Sequence, residues 1–133
     1  MADNEYDLLV KAGRLLCADT GLDGPGAVAV NGDRIVAAGP AVVGAAKKVL
    51  DFPDATLLPG LVDLHAHPAH GGSKYGVDPD AEFLSRGVTT VLSQGDAGAD
   101  NWEEYQRRSI GTFNTRLRMA LNLARTGEST EQG

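Results

Sequence analysis

Through the first 58 residues, apolar and polar positions come in short runs with a period near two, the repeat of strands half exposed to water. Asp7-Leu8-Leu9-Val10-Lys11 and Arg14-Leu15-Leu16-Cys17 flank Ala12-Gly13 and predict a strand pair. Thr20 to Gly26 is loop by composition. Ala27-Val28-Ala29-Val30 then meets Asn31-Gly32, followed by Asp33 to Gly39. Asn-Gly between two apolar runs predicts a tight hairpin, because both central residues must tolerate positive φ. Pro40 to Lys48 has no clear period and reads as a weak helical turn or a loop. Lys48 to Phe52 predicts a strand, Pro53-Asp54 a turn, and Ala55 to Leu58 one more short run.

From Gly60 the pattern changes to strand and helix in alternation. Gly60-Leu61-Val62-Asp63-Leu64-His65-Ala66-His67 reads as a buried strand. Val62, Leu64 and Ala66 share one face; Leu61, Asp63, His65 and His67 share the other. A glycine-rich loop runs from Pro68 to Val77. Asp78-Pro79 is an N-cap with proline at the first helical position, opening a short helix over Asp80 to Arg86 that Gly87 stops. Val88-Thr89-Thr90-Val91-Leu92 predicts the next strand, and Ser93 to Ala99 a loop. Asp100 with Glu103 resembles a capping box for a helix from Asn101 to about Ile110, with Trp102, Tyr105 and Ser109 on one face. Arg116 to Leu123 alternates as a strand, although its Leu, Met and Ala content also suits a helix. Arg125 to Gly133 is a polar tail with nothing to bury.

Composition narrows the picture. Aromatic residues are 5% and glycines number 17 in 133, so the interior should be Ala, Val and Leu rather than rings. A formal net charge of −6 argues against nucleic acid or an anionic membrane as partner. The lone cysteine, Cys17, excludes an intrachain disulfide and reads as a buried structural thiol. The acidic N-terminus lacks the charged and apolar regions of a signal peptide, and no run is long enough to span a bilayer. A cytoplasmic protein is the expectation. There is no Walker loop, Rossmann fingerprint, zinc-type cysteine pair or Gly-x-Ser-x-Gly.

The chemistry gathers on one strand. Aspartate and histidine are poor company inside a core unless something pairs or binds them, and a divalent metal does so well. His65 and His67, two apart at the strand's end, can approach one ion. Asp63, on the same face and deeper, could hydrogen-bond a ligand imidazole and fix its tautomer. A histidine at a strand end is otherwise often just satisfied by a neighbour. His70, Lys74 and Tyr75 in the following loop face either water or substrate, and Gln94 and Asp96 after the next strand are either site residues or ordinary turn groups.

Leu58-Pro59-Gly60-Leu61-Val62-Asp63-Leu64-His65-Ala66-His67-Pro68 resembles the first barrel strand of the amidohydrolase superfamily of metal-dependent hydrolases, in the pattern of dihydroorotases, hydantoinases and N-acyl-amino-acid deacetylases. Gly87-Val88-Thr89-Thr90-Val91 followed by Gly95-Asp96-Ala97-Gly98 resembles the deacetylase-like and dihydroorotase-like branch. An Asp-Ala-Gly-Ser-type sequence is usual there, and Ser93-Gln94-Gly95-Asp96 departs from it. The resemblance implies an α/β fold: the opening β-α-β-α-β part of a (β/α)8 TIM-like barrel, preceded by a small all-β, sandwich-like domain. Residues 1–58 would be the N-terminal part of a composite β-sandwich, and residues 59–133 the first three strands and two helices of the barrel. It implies that His65 and His67 bind a divalent metal, most often zinc, with one or two ions in the complete enzyme. The remaining ligands would be a lysine, two histidines and an aspartate that handles the proton, all beyond this chain.

A whole barrel needs about 250 residues. Three alternatives stand open: a piece of a longer gene product, one part of a split enzyme completed by a second chain, or a short protein that closes its sheet as an oligomer. The implied function is metal-dependent hydrolysis of an amide-type C–N bond in a cyclic amide or an N-acylated small molecule, with this chain inactive alone. A ring deaminase of the same superfamily is one alternative, and a non-catalytic scaffold or interaction subunit is another.

Overall fold

The structure is a computed structural model that describes residues 5–68 and 75–129. It divides into two compact units, Met1–Pro59 and Gly60–Gly133.

The first unit is one four-stranded sheet of order β3-β2-β1-β4, built from β1 (Tyr6–Cys17), β2 (Leu22–Asn31), β3 (Arg34–Gly39) and β4 (Ala46–Leu57). β1 pairs antiparallel with β2 and parallel with β4. A hairpin joins β2 and β3, but one residue later than expected: Asn31 ends β2 and pairs with Arg34, so Gly32 and Asp33 are the central residues and only Gly32, at φ 58°, has a positive φ. Three expected breaks are absent. Ala12-Gly13 is an irregularity within one continuous β1, where the register shifts on both sides, rather than a turn between two strands. Glycine is required there because a Cβ on Gly13 would sit 1.8 Å from the Pro53 carbonyl oxygen. Pro53 likewise lies inside β4, which is an edge strand and so tolerates a residue without an N–H. Leu22 to Gly26 belongs to β2, held by pairing with β1 and by the two-pronged Arg14–Asp23 ion pair at 2.6 and 2.9 Å. The core is small: Leu9, Ala27 and Ala29, flanked by Tyr6, Ala37, Val42 and Ala46. Cys17, expected to be buried, is half-buried at the end of β1, and hydrogen bonding from Thr20 lowers its thiol pKa.

The second unit is a three-stranded parallel sheet of order β5-β6-β7: β5 (Leu61–Ala66), β6 (Val88–Gln94) and β7 (Arg116–Ala120). Crossovers carry α1 (Pro79–Glu82) with a 3-10 turn over Leu84–Arg86, and α2 (Trp102–Ser109). Asp78 caps α1 by accepting from Asp80 N at 2.9 Å and Ala81 N at 3.0 Å, and Gly87 ends the turn at φ 84°. The expected capping box on α2 does not form: Asn101 is the cap position, and the Asp100 carboxylate is taken by the Arg125 guanidinium at 2.7 Å. Asp80 accepts from the backbone amides and side chains of Asn114 and Thr115, at 2.8 to 3.0 Å, tying the start of the first crossover to the start of β7. Those bonds to the charged form hold its carboxyl pKa down at about 2.

The expectation of a buried β5 is overturned. Val62 is 58% and Leu64 66% exposed. β5 is an edge strand here, so its apolar positions lack the cover that the central β6 has, where Val91 and Ser93 are fully buried. The unit is thus a partial parallel β–α arrangement, the pattern of an incomplete (β/α) barrel, after a small β-sheet domain. No helix among the described residues is long and apolar enough to cross a membrane.

Candidate metal centre

The site is assembled where β5 and β6 end. The start of β5 is fixed by Leu61 N donating to Gly87 O at 2.9 Å, and by a close approach: a Cβ on Gly60 would lie 2.1 Å from Thr89 Oγ1. Further along, the β5–β6 register slips between Asp63 and Ala66, so ladder bonds are missing where the histidines begin. Two side chains fill the gap. Asp63 Oδ1 accepts from the His65 backbone N at 2.9 Å, and Gln94 Nε2 donates to Leu64 O at 2.9 Å. Asp63 therefore holds the backbone of the histidine strand; its recorded bond is not to either imidazole. Gln94 ties the two strands together.

The His65 and His67 rings lie edge to face, 6.0 Å between centroids and 69° between planes. Zinc–imidazole bonds of about 2 Å put two ligand rings roughly 5 Å apart in a tetrahedral shell. The pair is about 1 Å wider than that, and His65 is exposed. The donor chemistry suits a divalent metal, and two imidazoles supply half of a tetrahedral shell. Among the described residues no group of three or more His, Cys, Asp or Glu gathers to complete one. The Tyr75 ring stands 5.7 Å from that of His67. His70 and Lys74 lie outside the described residues.

His67 has a partner that the sequence reading did not assign. Its Nδ1 is 2.8 Å from Oδ1 of Asp96, whose side chain is 0% exposed against 28% for His67. The other oxygen, Oδ2, accepts from Ser93 Oγ at 2.6 Å, and that hydroxyl is buried as well. Gly95, at φ 85°, turns the chain after β6 so that Asp96 comes back alongside Ser93. The turn is clamped by Gly95 N to Ala120 O and Glu128 N to Gly95 O, each 2.9 Å. The stretch read as a polar tail therefore packs on the site: Gly127 is buried, and its Cβ position would lie 2.6 Å from the Ala97 backbone. Behind Ser93 sits Tyr105, buried with Ala97 beside Trp102, Ile110 and Met119. Among the described residues the buried Tyr105 hydroxyl makes no hydrogen bond of good geometry. Burial pushes its pKa up to about 12, against an opposing interaction with the Ser93 side chain and with a smaller push from the nearby Asp96 charge.

No family model matches the chain. A deacetylase of Agrobacterium fabrum is 34% identical over 102 residues, covering 75% of this chain and 25% of that protein. The chain therefore spans about a quarter of the length of that curated relative. A solved dihydroorotase superposes with a TM-score of 0.79 at 29% identity, over 92% of this chain and 32% of that one. A D-aminoacylase studied for its binuclear metal centre superposes at 0.54 and 28% identity, over 66% of this chain and 18% of that one. With matching adenine deaminases, these give amidohydrolase-superfamily homology across deacetylase, deaminase and dihydroorotase branches, each over part of the relative's length.

Proposed function

We propose that this chain supplies the metal-binding opening of an amidohydrolase that cleaves an amide-type C–N bond in a cyclic amide or an N-acylated small molecule. Residues 1–58 are the N-terminal part of a composite β-sandwich, and residues 59–133 the first three strands and two helices of the barrel. The remaining strands, with the other ligands and the general base, come from a further stretch of chain or from a second subunit. The observation that carries the reading is the pair of imidazoles at the end of a parallel strand, one of them held by a fully buried carboxylate. Catalytic groups of (β/α) barrels gather at that end of the strands.

His65 and His67 hold a divalent metal, zinc first, as one of one or two ions. When bound, it supplies a Lewis acid for a substrate carbonyl and lowers the pKa of water. This chain's residues do the rest of the local work. Asp63 fixes the backbone that presents His65, Gln94 holds β5 against β6, and Tyr75 stands beside His67 at the mouth, placed to touch a substrate. The deacetylase and dihydroorotase likenesses support the substrate class. The adenine deaminase likenesses, among them one of TM-score 0.77 at 26% identity, favour a second reading, ring deamination.

The test uses the chain co-assembled with the remaining barrel strands, assayed on an N-acylated amino acid, a cyclic amide and an aminopurine. One of the first two is expected to turn over, chelation to abolish it, and His65→Ala or His67→Ala to do the same. Retained turnover in the metal-free assembly contradicts the proposal.

A further inference from the structure

We infer that Asp96 is a positioning residue that locks His67 in its Nδ1–H tautomer and so keeps the Nε2 lone pair free for the metal. The proposal rests on the reading of His67 as a metal ligand.

The argument is one of hydrogen-bond inventory. A neutral imidazole has one N–H and one bare nitrogen, and whichever nitrogen meets a partner sets the tautomer. The partner of Nδ1 is a carboxylate oxygen at 2.8 Å. An ionised carboxylate only accepts, so the proton sits on Nδ1 and the lone pair on Nε2, at the ring edge away from Asp96. The carboxylate cannot swing aside. Its second oxygen takes the Ser93 hydroxyl at 2.6 Å, the Gly95 turn behind it is clamped to Ala120 and Glu128, and nothing of it reaches water. His65 is the contrast. It is exposed, and among the described residues its ring makes no hydrogen bond. The site thus pairs one pre-aimed imidazole with one adaptable imidazole.

The test is long-range 1H–15N correlation of the histidine rings in the 133-residue chain at about pH 8, above the ordinary histidine range. Wild type is measured metal-free and then with added zinc, beside Asp96→Asn, with Trp102 fluorescence reporting whether the variant folds. The expected result is an Nδ1–H pattern for His67, an Nε2–H or mixed pattern for His65, and a zinc-induced shift at His67 Nε2. Asp96→Asn should mix the His67 tautomers and weaken zinc binding by about 10- to 100-fold. An Nε2–H pattern for His67 in wild type, as a neutral Asp96 donating to bare Nδ1 would produce, overturns the inference even if the variant fails to fold. So does an Asp96→Asn spectrum and zinc affinity equal to wild type. An Nδ1–H His67 with neither ring responding to zinc upholds the lock and sinks the metal reading instead, so the two failures are told apart.

Discussion

Removing the Ser93 hydroxyl is the sharpest perturbation of the site that leaves both His67 and Asp96 in place. Ser93→Ala deletes one oxygen from a fully buried position and leaves Asp96 Oδ2 without its donor at 2.6 Å. A hydrogen bond to a charged group contributes about 1.5–3 kcal/mol, and the orphaned acceptor here has no path to water. The change in volume is too small for a cavity to add much. A loss of about 2 kcal/mol, divided by a urea dependence of about 1.5 kcal/mol/M, lowers the midpoint by roughly 1.3 M. Trp102 is the only tryptophan and packs beside Tyr105, so its fluorescence reads the unit that carries the substitution. Ser85→Ala is the control: Ser85 is exposed and donates to Ala81 O, so its loss should cost under about 0.5 kcal/mol. A Ser93→Ala midpoint within roughly 0.3 M of wild type would refute the view that the Ser93–Asp96 bond holds the site together.

Other substitutions test other joints. Tyr105→Phe removes a buried hydroxyl that makes no hydrogen bond of good geometry among the described residues, so stability should stay level or rise by up to about 1 kcal/mol, read by the same urea titration. Gly60→Ala should cost about 1–3 kcal/mol, because its methyl meets the Thr89 side chain and forces the start of β5 away from β6; amide exchange should rise along β5. Asp80 titrates near 2 when folded, below its ordinary 3.8, so its contribution is complete above about pH 3.8 and is lost as pH falls towards 2. Far-UV circular dichroism of Asp80→Asn should therefore show a less stable protein at neutral pH, with its curve meeting that of wild type below about pH 2.

Local rules carried the sequence reading where the chain obeys its neighbours. Asp78-Pro79 and Gly87 each do what their backbone chemistry requires, β2 and β3 meet in a hairpin at Gly32, and β6 follows its apolar pattern, whereas β7, expected to reach Leu123, ends at Ala120 and leaves Leu121 and Leu123 exposed. The failures come where a distant partner decides. Gly13 and Pro53 punctuate the sequence like turns, yet they meet each other across β1 and β4, and two long strands pass through. Asp100 and Glu103 have capping-box spacing, but Arg125 claims the aspartate from 25 residues away. The burial of β5 could not be read from its own alternation, because burial depends on what lies beside an edge strand.

The site was half legible. His65 and His67 stand out by residue type and spacing alone. The role of Asp96 did not, because it lies 29 residues from His67 and depends on a glycine turn and a buried serine. The Arg125 to Glu128 stretch was invisible to composition, since it packs through backbone hydrogen bonds and a glycine rather than through apolar side chains.

Equilibrium dialysis against zinc tests the central claim most directly, comparing wild type with His65→Ala, His67→Ala, the double variant and Cys17→Ser. Bound zinc should fall in each histidine variant, fall furthest in the double, and stay at the wild-type level when the lone thiol is removed. Equal zinc uptake by wild type and the double variant would contradict the claim that these two imidazoles share a metal.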